Sequence, residues 1–337
     1  MAKVDSANSP ENILHVSDFC LAGRVSTDEG PKDMSVRIPE IRVRTGGITA
    51  VIGGSGCGKS VLISLLMGYP SFGIGGSLKF GAFTMFGKDM PREAFRTFRT
   101  AAAWRRRMRD GGGLFYLPQA FPVAKTQRIR VETAMAQIVR AMAAPFRLSE
   151  RDARTRIREA FERRNLGSAL PKKLDSISGG ERRRAELIAR LVAMKVSRRP
   201  ALLVLDEPTT GFDPDNALVF IRDVRRVIDE LCNDGIKAAA FLSTHEMSCL
   251  DDTEGDRRIV DRVCVVHRDE EGPGKGNCTV LFNGPTDSVW QKFFPDGAKA
   301  KFTFSFDGDD LFRRLKTKTT DSWLSANAKN GGAFDAS

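Results

Sequence analysis

Continuous apolar runs, each closed by a glycine or a polar residue, mark the interior of this chain. Gly47-Ile-Thr-Ala-Val-Ile-Gly53 predicts a buried strand, and Val61-Leu-Ile-Ser-Leu-Leu-Met-Gly68 a buried helix soon after it. Leu202-Leu-Val-Leu205 predicts a strand that delivers Asp206 and Glu207 at its end, and Ala238-Ala-Ala-Phe-Leu242 one that delivers Ser243-Thr-His245-Glu246. Between Gln119 and Asp206 the period becomes helical. Thr133 to Ala144 is rich in alanine and methionine. Ser149-Glu-Arg-Asp152 predicts a capping box opening a helix with Ala153, Ile157, Ala160 and Phe161 on one face and Gly167 as its stop. The segments Asn12 to Gln119 and Asp251 to Phe294 hold the first and last strands and turns. Phe302, Phe304 and Phe306 alternate as in a strand laid on the core, and Arg313 to Ser337 is polar enough to predict a frayed tail.

With 337 residues and 41% hydrophobic content, the chain can bury a sizeable core as one large domain with an extension. No stretch approaches the roughly 18 to 20 apolar residues of a membrane span, and Met1 to Pro10 has no hydrophobic signal region, so a cytoplasmic location is expected. The six cysteines show no C-x-x-C pairing, which predicts reduced, mostly buried thiols. Cys57 is expected to be the reactive one, because a helix N-terminus lowers a thiol pKa. The net charge of +11 is uneven. Arg92, Arg96, Arg99, Arg105, Arg106, Arg107 and Arg109 crowd the approach to Gln119, and Arg151, Arg154, Arg156 and Arg158 stud the capped helix. Such runs are most often solvated helix faces; an anionic membrane surface or an acidic partner segment comes next. Nucleic acid is disfavoured, since no zinc-finger, RNA-recognition or helix-turn-helix pattern accompanies them.

The chemistry sits where the apolar runs end. Gly53-Gly54-Ser55-Gly56-Cys57-Gly58-Lys59-Ser60 has the form G-x-x-x-x-G-K-S between a strand and a helix. Its glycines let the backbone turn N–H groups inward, and the helix N-terminus adds its dipole, which together make a phosphate cradle. Lys59 can neutralise β- and γ-phosphates while the Ser60 hydroxyl holds Mg²⁺. A strand ending in Asp206 puts that carboxylate at the edge of a parallel sheet where ligands bind, to hold Mg²⁺ directly or through water. Glu207 beside it could orient or deprotonate an attacking water. Ser178-Gly179-Gly180-Glu181 opens a long helical segment with a hydroxyl and bare N–H groups at its positive end. Alone, Ser178 reads better as an N-cap for its own helix, and His245 as a satisfied strand-end histidine.

In this order the strings resemble the ATP-binding cassette (ABC) ATPases, over roughly Ile13 to Phe294. The resemblance implies an α/β P-loop NTPase with a RecA-like core sheet, an N-terminal antiparallel β subdomain and an inserted α-helical signature subdomain. The ATPase domain is expected over 12–295, its helical part over about 120–200, and an extension over 296–337. By the same resemblance Gln119, in Leu114-Phe-Tyr-Leu-Pro-Gln119, contacts the metal and senses a membrane partner. Ile177 to Glu181 is similar to the family signature, and Thr210-Gly-Phe-Asp213 to the D-loop. His245 looks like the switch histidine that reaches the γ-phosphate, and Val61 completes the nucleotide contacts. The expected cofactors are ATP and Mg²⁺. Expected partners are a second ATPase subunit, identical or paralogous, whose Ser178 caps the first subunit's nucleotide, and an integral membrane permease.

Some positions depart from the family pattern. Val61 replaces a common threonine, Glu181 a common glutamine, and the usual adenine-stacking aromatic is missing: Tyr69 and Tyr116 stand elsewhere, and Phe19 reads as a strand residue. An apolar or arginine side chain such as Arg24 is the substitute expected. The leading expectation is the ATPase subunit of a transporter; the alternative is a soluble ABC ATPase acting on nucleic acid or ribosomes. Such proteins usually carry two cassettes or long coiled coils, absent here. A nucleotide sensor without turnover is disfavoured because Lys59, Asp206, Glu207 and His245 are all present.

Overall fold

Two long strands open the chain, β1 (Asn12–Thr27) and β2 (Gly30–Arg44), paired antiparallel along almost their whole length in the computed structural model. The described residues are 11–27, 30–54, 56–67, 77–91, 98–119, 128–245, 253–254, 257–268 and 277–293. After the hairpin come β3 (Ile48–Ile52), α1 (Lys59–Leu66), β4 (Ser77–Lys79), β5 (Phe83–Met85), β6 (Lys88–Asp89), α2 (Phe98–Gly111) and β7 (Gly113–Leu117). Three helices follow, α3 (Val131–Met142), α4 (Glu150–Glu162) and α5 (Gly179–Ser197), then β8 (Ala201–Asp206), α6 (Pro214–Asn233) and β9 (Ala238–Thr244). The described chain closes with β10 (Thr253–Glu254), β11 (Arg257–Arg258), β12 (Arg262–Arg268), β13 (Asn277–Pro285) and α7 (Thr286–Phe293).

Apart from the β10–β11 pair, the strands form one 11-stranded sheet in the order β6-β5-β1-β2-β13-β12-β3-β9-β8-β7, with β4 on β1. The stretch from β12 to β7 is parallel throughout; β6, β5, β1 and β2 are antiparallel; β13 joins the two regions, antiparallel to β12 and parallel to β2. Every residue of β3, β8 and β9 is buried, which is why these strands read as continuous apolar runs. Their side chains alternate between faces. Leu203 and Leu205 pack with α3 to α6, while Leu202 and Val204 pack on the face that holds Leu62, Ile63 and Trp104.

The expected α/β architecture is present, with the antiparallel strands N-terminal and α3, α4 and α5 between β7 and β8. Local expectations need correction. Ser149 caps α4 by accepting from Asp152 N at 3.0 Å, but the Asp152 carboxylate bonds the Ser149 hydroxyl instead of reaching the cap N–H, so the box is half formed. Aspartate is one methylene shorter than the glutamate such a box uses. Helix α4 stops at Glu162, and the left-handed residue after it is Asn165 (φ 55), with Gly167 opening a short 3₁₀ turn. Asparagine tolerates that conformation, so the glycine is not the stop. Helix α2 buries Ala101, Trp104 and Met108 at helical spacing and exposes Arg106 and Arg107. The strand expected at Phe302–Phe306, the tail, Ser55, Arg92 and Arg96 lie outside the described residues, as do the side chains of Arg24, Arg99 and Arg109. Among the described residues no helix is long and apolar enough to cross a membrane.

Candidate functional site

The carboxyl ends of the parallel strands meet at one edge. Ile52 pairs with Thr244, Asp206 with Ser243, and Leu117 with Leu205, so the residues following β3, β9, β8 and β7 rise from neighbouring positions. After β3, Gly56 (φ 76) and Gly58 (φ 87) hold left-handed backbone that only glycine adopts cheaply. Gly53 is needed for space: a Cβ there would stand 2.4 Å from Val266 O and 2.6 Å from Cys57 Sγ. The loop enters α1 at Lys59 and Ser60.

Lys59 is buried, its ammonium donating to Gly53 O at 2.8 Å and Gly54 O at 3.1 Å and lying 3.1 Å from Glu207 Oε1. Across the edge, Asp206 accepts from Ser243 Oγ at 2.8 Å and Ser60 Oγ at 3.2 Å on one oxygen, and from the Tyr116 hydroxyl at 3.4 Å on the other. Glu207 has a left-handed backbone (φ 41), fixed by its N–H donating to Ser243 Oγ at 3.0 Å and Ser243 O at 3.2 Å. A non-glycine residue in that region carries strain that the surrounding bonds must hold, a condition common at functional positions. The Glu207 carboxylate accepts from Gln119 Nε2 at 3.0 Å and Thr210 Oγ1 at 3.3 Å. Lys59, Ser60, Gln119, Asp206 and Glu207 thus form one bonded set. His245 follows β9 at the same edge and is exposed.

Tyr116, Ser243 and Arg183 belong to this set and were not assigned roles from sequence. Burial first, then the charge of Asp206 and the bond to it, push the Tyr116 phenol up to about 12, so it stays a donor to Asp206. Ser243 had a signal, since it heads the Ser-Thr-His-Glu string. Arg183 donates to Pro118 O at 2.7 Å, to Gln119 O, and to the buried Glu186 carboxylate at 3.1 Å, which ties the Gln119 turn to α5. The expectation for Cys57 is overturned: burial, the dominant effect, raises its thiol pKa despite Lys59 nearby.

The remaining expected residues sit apart. Ser178 caps α5 with a complete box: its hydroxyl accepts from Glu181 N at 3.1 Å and its N–H donates to Glu181 Oε2 at 2.9 Å. That N–H, above all, holds the Glu181 carboxyl below its ordinary range. Gly179 and Gly180 have open space where a Cβ would stand. Asp213 caps α6 by accepting from Asn216 N at 3.0 Å. Ser178 to Glu181, Thr210 to Asp213, Val219 and Gln119 line a cleft of about 460 Å³ between α5 and α6.

Ser60 Oγ and Asp206 Oδ1 are hard oxygen donors 3.2 Å apart beside a buried ammonium and inward-turned glycine backbone. This set fits Mg²⁺ bound to a polyphosphate, because Mg²⁺ takes few protein oxygens and fills its shell from phosphate and water. Among the described residues no cluster of His, Cys, Asp or Glu offers a rival metal site.

Residues 36–210 match the sequence model of a family described as ABC transporter. The chain is 27% identical over 315 residues to the ABC transporter ATP-binding/permease protein Rv1747 of Mycobacterium tuberculosis, covering 88% of this chain but 30% of that protein. It is 26% identical to the methionine import ATP-binding protein MetN of Corynebacterium glutamicum, covering 92% of this chain and 77% of the other. It is 29% identical to the phosphate import ATP-binding protein PstB 2 of Natronomonas pharaonis, covering 77% and 78%. Its fold is similar to that of cbiO1 from Clostridium perfringens, part of the ABC transporter complex cbiONQ, with a TM-score of 0.54 at 20% identity, covering 84% of this chain and 92% of that one.

Proposed function

Because the chain belongs to the ABC transporter family, whose sequence model spans residues 36–210, we propose that it binds ATP with Mg²⁺, closes with a second ATPase subunit around two nucleotides, and hydrolyses ATP to drive a separate membrane permease. The observation that carries this reading is the bonded set at the sheet edge, where Lys59, Ser60, Asp206, Glu207 and Gln119 converge. On this reading the chain lies peripherally on the cytoplasmic face of the membrane.

The roles follow from donors and acceptors. Lys59 and the glycine N–H groups bind the β- and γ-phosphates. Ser60, Asp206 and Gln119 supply oxygens for Mg²⁺, which when bound offsets the negative charge of the phosphate oxygens. Glu207 orients a water opposite the leaving group and accepts its proton, and His245 reaches toward the same phosphate. The strained backbone of Glu207 and its bonds to Gln119 and Thr210 hold the carboxylate in place.

The signature works in trans. Within its box, the Ser178 oxygen accepts from its own helix, yet its O–H remains a donor, and the Gly179 and Gly180 N–H groups stand at a positive helix end. A second subunit's γ-phosphate completes that anion site, with Asp213 beside it.

Size-exclusion chromatography of Glu207→Gln with ATP and Mg²⁺ tests the shared site: a dimer is expected, and a persistent monomer contradicts it. Affinity purification from detergent-solubilised membranes tests the coupling. Recovery of a hydrophobic permease is expected, whereas recovery of RNA or DNA contradicts a transport role.

A further inference from the structure

The carboxyl end of β12 carries a guanidinium that the site as described does not use. β12 runs parallel to β3 with Val265 beside Ile52, so Arg268, further along, stands level with the loop that leaves β3. Close approaches at this strand end confirm the placement. Val266 O lies 2.4 Å from where a Cβ on Gly53 would be, and Arg268 Nη1 lies 2.8 Å from where one on Gly56 would be. Lys59 is tied to two carbonyls and to Glu207. Arg268, by contrast, has no side-chain hydrogen-bond or ion-pair partner among the described residues. A half-buried cation held against a glycine-built cradle, with no anionic partner among the described residues, is arranged to meet one from outside.

Sheet order tells which part of a nucleotide it meets. β9 and β8 flank β3 on one side and present Asp206 and Glu207; β12 flanks it on the other. A triphosphate whose terminal group faces Glu207 and the Ser60–Asp206 pair runs across the loop toward β12. We propose that Arg268 is a nucleotide-binding residue whose guanidinium grips the α-phosphate, on the side of the loop opposite the acidic pair. A planar guanidinium can give such an oxygen pair two parallel N–H bonds, which a lysine cannot. The assignment rests on the nucleotide-binding reading of the Lys59 loop.

Isothermal titration calorimetry of the full chain with Mg²⁺ and either ADP or a non-hydrolysable ATP analogue tests it in wild type, Arg268→Ala, Arg268→Lys and Lys59→Ala. Arg268→Ala is expected to raise both Kd values equally, by about tenfold, with Arg268→Lys recovering only part, as suits a lost charge-assisted pair. Tm stays unchanged, because the side chain gives up no bond within the described fold. ATPase assays should show KM rising with kcat unchanged. Unchanged Kd values in Arg268→Ala alongside a loss in Lys59→Ala would overturn the role of Arg268 alone. Weakening of the ATP analogue without ADP would overturn the α-phosphate assignment. Unchanged binding in Lys59→Ala as well would remove the nucleotide site itself.

Discussion

The Lys59 ammonium lies 3.1 Å from Glu207 Oε1, so the cation of the phosphate loop and the carboxylate proposed to handle water are an ion pair, both well shielded from solvent. On the proposed function, an arriving γ-phosphate competes with Glu207 for Lys59, and success frees the carboxylate for the water it is proposed to handle.

Glu207→Gln separates those effects. It keeps a hydrogen-bonding side chain beside Gln119 but removes the charge that pairs with Lys59 and is proposed to accept a proton. Turnover is expected to fall about 10²- to 10⁴-fold, the usual worth of a general base, measured as phosphate release. ATP affinity is expected to hold or tighten, because the competing anion is gone. A variant that turns over at the wild-type rate assigns the proton to another group.

Tyr116 offers a spectroscopic check on the surroundings of Asp206. The chain has 2 tyrosines, so Tyr69→Phe leaves Tyr116 alone. Burial and Asp206 push its phenol up to about 12, which means the neutral form persists above the ordinary range. In Tyr69→Phe, tyrosinate absorbance near ~295 nm should stay largely absent at about pH 11, whereas the unfolded chain titrates near ~10. Titration at the ordinary value in the folded variant places Tyr116 away from Asp206.

The capping box at the start of α5 makes a pH-dependent contribution. The Ser178 N–H lowers the Glu181 pKa relative to the unfolded chain. The stabilisation is therefore present above the unfolded carboxylate pKa and is lost as pH falls through the folded one. The Glu181 side chain is 35% exposed, so the effect is small and partly salt-screened. Ser178→Ala removes the cap and should cost about 0.5–2 kcal/mol in denaturant unfolding. Glu181→Gln should lose stability at neutral pH but match wild type in acid. A Glu181→Gln deficit that persists in acid traces the loss to packing instead.

Residues that act through local sequence were legible before the fold was. The glycine loop, the strand ending in Asp206 and the cap at Ser178 are built from neighbours in the chain. What required tertiary structure was invisible: Tyr116 meets Asp206 across 90 positions and Arg183 meets Pro118 across 65. The parallel pairing of β13 with β2, which fuses the antiparallel and parallel regions, is likewise non-local. Cys57 shows the same limit in reverse. Its sequence position promised a lowered pKa, but burial, a tertiary property, outweighs the helix end.

Cys57 should accordingly resist alkylation. A raised pKa means a smaller thiolate fraction than free cysteine at any pH below it, and burial denies the reagent access. Mass spectrometry after iodoacetamide treatment at about pH 8 should show Cys57 modified far more slowly than the partly exposed Cys20 and Cys232. Equal rates indicate a loop that opens freely, contrary to its packing against Val266.

Arg183 connects the two halves of the proposed machine. It bonds Pro118 O and Gln119 O on the turn after β7, while Gln119 holds Glu207, so α5 and the Glu207 carboxylate share one chain of contacts. Arg183→Ala strips a partner from the buried Glu186 and should cost about 3 kcal/mol, the lower end for a broken buried pair, because Arg182 Nε stays 3.5 Å away. Arg183→Met combined with Glu186→Leu removes both charges and should recover part of that stability, the rest being withheld because Arg182 and the buried Arg190 lose the same carboxylate. The turn at Gln119 remains untethered in the double variant, so ATPase activity should stay depressed although Tm partly recovers. Recovery of both together limits Arg183 to stabilising the fold, and α5 then reaches Glu207 by some other route.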